Sequence, residues 1–239
     1  MKIRFNLDMK FHAIILARGG SKGIKNKNLI KVNKKPLIYW SIKAALITKK
    51  IEKVWVSSDD KKILNYSKKF GAHIVKRPKI LASDNSSSED GWKHCIEEIK
   101  KKEQIDYVIA LQATSPIRGK KDLQNGINSF LKNNCESLVS TSKRDAHFTW
   151  DKIGKKLIPN YNLFSKRKRR QSIREKYIEN GSFYIFSAEK FLKVKRRLFG
   201  KIINFNQNKI KSFEIDNKED ILLIETIFKN TSKEYDLVR

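Results

Sequence analysis

Short apolar runs alternate with stretches of 3.6-residue periodicity along the first 140 or so residues, and this alternation already predicts most of the elements. Residues 12–16 form a compact apolar run that stops at a glycine-rich loop, the signature of a strand buried on both faces. From Pro36 onward, Leu37, Ile38, Trp40, Ala44 and Ala45 share one broad apolar face. Proline suits the first turn of that helix, where its missing N–H has no partner to lose. A second strand is expected over 54–57. The helix after it carries Ile63, Leu64, Tyr66, Ser67 and Phe70, with Gly71 as its C-terminal cap. Residues 72–75 read as a third strand. Ser86 and Glu89 have capping-box spacing and open a helix burying Trp92, Cys95, Ile96 and Ile99. A fourth strand is expected over 107–111, a helix with Leu123, Ile127, Phe130 and Leu131, and a fifth strand over 138–141.

The period is lost over 144–171, a polar and basic stretch that reads as an arm inserted between core elements. Regularity resumes with a strand over 181–186, a helix from Ala188, a last strand over 209–215, and a final helix capped by Asp216 or Asn217. Strands alternating with helices indicate an α/β fold, a mostly parallel sheet flanked by helices. We expect one domain over 1–239, with the arm at 144–171. In such sheets ligands lie beyond the carboxyl ends of the strands. The polar segments 18–28, 58–60, 77–88 and 112–118 are therefore the candidate binding loops.

Composition narrows the function. With 39% hydrophobic residues among 239, the chain can pack a sizeable core. No run approaches the roughly 20 apolar residues of a membrane span. The apolar stretch near the start is short and runs into Arg18, so we expect no secretory signal and a cytoplasmic location. Cys95 and Cys135 form no Cys-x-x-Cys pair, which excludes a disulfide framework and a structural zinc site. Lysine and arginine number 53 against 25 acidic residues, a net charge of +28. A nucleic-acid binder is one reading of that excess. The lysines are spread along the whole chain, with one dense cluster at 166–170. The aromatics sit at core periodicity, without a base-stacking motif. Enrichment on solvated faces, together with a phosphate-bearing substrate, accounts better for this distribution, and no nucleic acid is expected.

The loop Ala17-Arg18-Gly19-Gly20-Ser21-Lys22-Gly23 follows the first strand. Its small residues let backbone N–H groups approach an anion, and Arg18, Lys22 and Lys27 supply charge to neutralise phosphates. It matches neither the P-loop nor the dinucleotide fingerprint. Near the C-terminus, Glu214 and Asp216 stand at i and i+2, on one face of an extended segment, where two carboxylates can hold a hard cation such as Mg2+. Asp216 is equally placed to cap the final helix. The histidines are scattered. His12 and His94 read as packing residues, and no general base stands out.

The stretch Ile14-Ile15-Leu16-Ala17-Arg18-Gly19-Gly20-Ser21-Lys22-Gly23, with Lys27-Asn28-Leu29, resembles the first motif of the CMP-sialic acid synthetases, or acylneuraminate cytidylyltransferases. Five further segments agree in order and spacing: Val56-Ser57-Ser58-Asp59; Arg77-Pro78 with Leu81-Ala82-Ser83-Asp84; Leu111-Gln112-Ala113-Thr114-Ser115-Pro116-Ile117-Arg118; Arg170-Gln171 with Asn180-Gly181; and Glu214-Ile215-Asp216. Each is moderately specific, and together they span nearly the whole chain.

The resemblance implies a Rossmann-like sheet of the nucleotide-diphospho-sugar transferase type. It implies transfer of CMP from CTP to the anomeric hydroxyl of an acidic nonulosonic sugar, release of pyrophosphate, Mg2+ as cofactor, and a homodimer whose arm reaches over the partner's site. Carried over by position, Arg18, Lys22 and Lys27 match the cations on the triphosphate. Ala17, Ser21, Asn28, Arg77 and Ser88 match the nucleotide site. Gln112, Arg170, Asn180 and Gly181 match the sugar site, and Asp216 with Glu214 the metal site. Many family members have Asp at the position of Glu214, one methylene shorter, so a water-mediated metal contact suits this residue. The segment Tyr177-Ile178-Glu179-Asn180-Gly181 departs from sialate forms with Arg-Pro before Asn-Gly. It resembles bacterial relatives acting on modified nonulosonates. Legionaminate, pseudaminate and an 8-amino-Kdo sugar therefore stand beside N-acetylneuraminate as substrates.

Overall fold

The computed structural model describes residues 9–144, 149–159, 161–164, 175–231 and 235–238. Chain order runs β1 (Phe11–Leu16), a small hairpin of β2 (Lys31–Val32) and β3 (Lys35–Pro36), α1 (Leu37–Leu46), β4 (Ile51–Ser58), α2 (Lys61–Lys69), β5 (His73–Lys76), α3 (Ser88–Lys100), β6 (Tyr107–Gln112) and α4 (Asp122–Lys132). It continues with β7 (Ser137–Arg144), β8 (Trp150–Ile153), β9 (Lys156–Pro159), β10 (Lys176–Ser187), α5 (Ala188–Val194), β11 (Ile202–Gln207) and α6 (Lys218–Thr231). Among the described residues, seven strands form one sheet in the order β11-β7-β10-β6-β1-β4-β5, and β10 alone runs against its neighbours.

The central strand sends alternate side chains to opposite faces. Ala13 and Ile15 join an apolar layer with residues of α1, α4 and α6, while Ile14 joins a second layer with Trp92, Cys95, Ile96 and Ile99 of α3 and Phe191 of α5. Each such isoleucine or leucine, fully buried, stabilises by about 1.5–3 kcal/mol relative to exposure. Among the described residues, no helix is long and apolar enough to cross a membrane.

Three expectations are corrected. The capping box of α3 uses Ser87 and Asp90 rather than Ser86 and Glu89. In a run of three serines, one register satisfies the helix N–H groups as well as the next until packing chooses. Residues 209–215 are not a strand: Lys209–Ser212 is a 3-10 turn, and the last strand is β11, paired with β7 at the sheet edge. The arm is not irregular throughout. β7 and β10 continue as a ribbon out to the pair Arg144 and Lys176, and β8 and β9 form a hairpin. Phe148, Arg170 and the rest of the basic run 166–170 lie outside the described residues.

His12 is fully buried, as expected for a packing residue, and its Nδ1 accepts the indole N–H of Trp55 at 3.0 Å. Burial outweighs the opposing charge of Glu103 and lowers its pKa from the usual imidazole value. A base held neutral in the fold but free to protonate when unfolded stabilises at high pH. That contribution is lost as pH falls through about 6.5, where the unfolded imidazole takes up its proton. Thermal unfolding should thus weaken between pH 7.5 and 5 in the native chain and less so in His12→Gln, whose amide oxygen can still accept from Trp55. Equal weakening in both would assign the effect to another group.

Candidate active site

The carboxyl ends of the central strands open on a cleft of about 520 Å³. Crossovers after β1 lead toward β4 and β5 on one side, and β6 lies on the other, so the cleft sits where the winding of the sheet reverses. Leu16, Leu111 and Trp92 line its floor. Arg18, Ser21, Lys22, Gly23, Lys27, Asn28, Arg77, Ser86, Ser87, Ser88, Gln112 and Asp216 stand around it.

The loop after β1 is braced from three directions. Ala17 N–H donates to Ser57 O at 3.1 Å, Gly19 N–H to Asp59 Oδ1 at 3.0 Å, and the Asn28 amide to Arg18 O at 3.0 Å. Ala17 is therefore a backbone anchor and does not line the cleft. Gly23 passes so close to Asp216 that a Cβ would lie 2.6 Å from its carbonyl oxygen, which only glycine permits. Arg18, Lys22 and Lys27 are each held by a carboxylate. Arg18 Nη1 and Lys22 Nζ grip the two oxygens of Asp84, both at 2.9 Å, and Lys27 Nζ meets Asp216 Oδ1 at 3.0 Å. Hydrogen bonding from Lys22, then the charges of Lys22 and Arg18, hold the Asp84 carboxyl below the usual carboxylate range.

Arg77 and α3 form the opposite wall. Arg77 is buried, its N–H donates to Ser58 O at 2.8 Å, and its Nε has no partner. Burial lowers its pKa, with Asp59 opposing. Ser86 to Ser88, leading into α3, face the cleft, and a helix N-terminus directs unpaired N–H groups and positive potential at an anion.

At the far end, β10 breaks register between Glu179 and Tyr184. Asn180 fills the break. Its Oδ1 accepts from Ser140 Oγ at 2.6 Å and from Ser182 N–H, and its Nδ2 donates to Gln207. Asn180 is thus buried behind the cleft wall and shapes the turn that presents Gly181. Gly181 has φ +62°, and a Cβ there would lie 1.6 Å from Glu214 Oε1 and 2.8 Å from Gln112 Oε1. Gln112, Gly181 and Glu214 therefore meet at one point.

Ile215 is fully buried and its N–H donates to Thr114 O at 2.9 Å, so the flanking carboxylates of Glu214 and Asp216 turn away from the core. Burial raises the Glu214 pKa, opposed by a hydrogen bond from Ser115. This oxygen-only pair beside phosphate-suited cations fits a hard cation such as Mg2+. Asp216 is not the helix cap. Asn217 Oδ1 receives Asp220 N–H, and Asp220 receives the N–H groups of Asp216 and Asn217.

Two charged residues at the site escaped sequence reasoning as individual side chains. Asp84 was visible only within a motif, and nothing local marks it as the partner of two cations. Arg118 is fully buried, pushed down to about 10 by burial, with Asp122 and Glu214 opposing. A buried arginine has no local sequence signature.

A cytidylyltransferase family model matches residues 12–237. The chain is 36% identical over 180 residues to an N-acylneuraminate cytidylyltransferase of Oncorhynchus mykiss, covering 73% of this chain and 40% of that protein. It thus spans about two fifths of that relative's length. It is 33% identical over 193 residues to a pseudaminic acid cytidylyltransferase of Campylobacter jejuni, covering 77% of this chain and 81% of that protein. A solved structure of CMP:2-keto-3-deoxy-manno-octonic acid synthetase complexed with CTP shares the fold at a TM-score of 0.69 and 16% identity, over 92% of this chain and 98% of that one. With a family match running almost end to end, the chain belongs to the cytidylyltransferase family.

Proposed function

We propose that this chain transfers CMP from CTP to the anomeric hydroxyl of an acidic nonulosonic sugar and releases pyrophosphate. The convergence of Arg18, Lys22 and Lys27 on one cleft carries the reading, because each is paired with a carboxylate that a triphosphate can displace. The sugar oxygen attacks the α-phosphorus as the bond to pyrophosphate breaks. Charge develops on the leaving group, and fixed cations stabilise it most where water is excluded. Ser21, Asn28, Arg77 and Ser88 hold the nucleoside, on a loop that Ala17 anchors through Ser57. Gln112 and Gly181 face the acidic sugar, and Arg170 supplies a guanidinium for its carboxylate. Asp216, with Glu214 through water, is the proposed Mg2+ site, and the metal supplies Lewis-acid neutralisation of phosphoryl oxygens.

Incubation of the purified chain with CTP, Mg2+ and a panel of N-acetylneuraminate, legionaminate, pseudaminate and 8-amino-Kdo tests this. Pyrophosphate release with at least one sugar is expected. Turnover of none, together with tight salt-sensitive binding to random DNA, would replace the reading with nucleic-acid binding.

The chain acts as one catalytic domain with 144–171 as a dimerisation arm. Trp150, Ile153, Leu157 and Ile158 on the β8–β9 hairpin are exposed, as are Leu163 and Phe164. Such apolar surface on a projecting arm favours burial against a second copy. Light scattering at micromolar concentration should give a dimer mass, and Ile153→Lys with Leu157→Lys should give a monomer of lower activity. A fully active native monomer would remove the dimer. If Arg170 serves the partner's site, mixing inactive Arg170→Ala and Lys27→Ala chains restores part of the activity, because one site of each mixed dimer carries neither lesion. No recovery after confirmed exchange would return Arg170 to its own chain.

A further inference from the structure

We infer that Arg118 is a positioning residue for the acidic-sugar half of the cleft, a buried guanidinium that holds Gln112 and the Gly181 turn in register with each other. The inference rests on the function proposed above.

The antiparallel ladder between β6 and β10 ends at the pair Leu111 and Phe183. One step further out, the strands part around Gly181. Their next carbonyls, Gln112 O and Ser182 O, lose the ladder and need other donors. Arg118 Nη2 donates to both, to Gln112 O at 2.8 Å. Arg118 Nη1 donates to Ser41 Oγ at 2.8 Å, and the Ser41 hydroxyl donates in turn to Gln112 O at 3.1 Å. The Gln112 carbonyl is thus held by two donors, and the Ser41 hydroxyl both accepts and donates. One planar fork spans two strands and a helix, which a single-point ammonium cannot do.

The cost of this arrangement argues against a mere packing role. Arg118 is fully buried, its Nε has no partner, and among the described residues no carboxylate accepts a hydrogen bond from it. Asp122, the first opposing charge it feels, is already bonded by Lys211 at 2.8 Å and by Gly119 N–H. Even a buried ion pair is often replaceable by apolar residues without loss of stability, because desolvation offsets its attraction. Here the replacement would leave two carbonyls unpaired where the strands part. Those strand ends carry Gln112 and, across from it, Gly181 packed on both Gln112 and Glu214. The cations of the loop after β1 are braced by a separate set of contacts, so disturbance at Arg118 should reach the sugar before the nucleotide.

The test compares Arg118→Lys, Arg118→Met and Ser41→Ala with the native chain. Measured quantities are KM for CTP, KM for the accepted sugar, kcat, CTP affinity by calorimetry, and backbone hydrogen exchange. We expect Arg118→Lys to keep CTP affinity within about twofold while kcat/KM for the sugar falls about a hundredfold, the penalty of displacing a reactant by roughly 1 Å. Arg118→Met should fall at least as far, and Ser41→Ala in the same direction by less. Exchange should accelerate over 111–118 and 180–186 and stay native over 17–29. Equal losses for CTP and sugar, or a lowered melting temperature with native kinetic constants, would make Arg118 purely structural. If the arginine variants fail to fold, the split in Ser41→Ala decides. If the native chain turns over no acidic sugar, the proposed function falls, and the exchange pattern alone upholds or overturns the positioning role.

Discussion

Asp216→Asn should abolish turnover and the response to Mg2+ together, with kcat down about a hundredfold or more and an unchanged melting temperature. Losing one charge contact specific to the transition state typically costs about two to three orders of magnitude in rate. The fold gives no reason for a loss of stability. The Asp216 side chain is 70% exposed, Asn217 caps α6, and the segment is tethered through Ile215 N–H rather than through the carboxylate. Its ion pair with Lys27 lies at the cleft surface, where such pairs contribute about 1 kcal/mol or less. The amide preserves shape and removes only the charge. Binding of Mg2+ in the presence of CTP, followed by calorimetry, should weaken in parallel with kcat. Native activity with a native Mg2+ titration would show that Asp216 does nothing more than accompany Lys27.

Lys27→Ala is the second large effect. Among Arg18, Lys22 and Lys27, the last is the one withdrawn from solvent, with its side chain 16% exposed against 35% for Arg18 and 77% for Lys22. A cation there acts through less water and is worth more to a developing charge. Its loss should raise the barrier by about 3–4 kcal/mol, several hundredfold in kcat. The turn it occupies is built by backbone bonds, Ile30 N–H to Lys27 O among them, so alanine leaves the turn in place. Arg18→Ala should cripple turnover in the same way. Because Lys27 and Asp216 touch, the double variant should lose less than the sum of the single losses. Near-native kcat in Lys27→Ala would remove the triphosphate assignment of the whole loop.

Much of the scaffold was legible from the chain alone. The strand over 12–16, the helix after Pro36 and the cap at Gly71 follow from neighbours in sequence, because periodicity, proline and glycine act over one or two turns. The misreadings share a cause. β10 begins five residues before the apolar run that announced it, since its first four residues are exposed and carry no alternation. β11 is an edge strand of Ile202-Ile203-Asn204-Phe205-Asn206-Gln207, whose asparagines depress any strand signal. The β8–β9 hairpin is exposed along most of its length, so no buried face imprints a period.

The site divides the same way. The sequence by itself determined that a small-residue cationic loop follows the first buried strand, and that two carboxylates flank an apolar residue near the C-terminus. Only the tertiary structure decided how these charges pair. Lys27 meets Asp216 across 189 residues, Arg18 and Lys22 share Asp84, and Arg118 reaches Ser41 and Ser182 across 77 and 64 residues. Sheet order brings those segments together, and sheet order is fixed by the burial of whole faces rather than by any local pattern. A hydrogen bond or ion pair between distant residues leaves no trace in the spacing of either partner. The same holds for Asn180, whose amide is spent inside the register break of β10 against β7, bonded to Ser140 and Gln207 from two other strands.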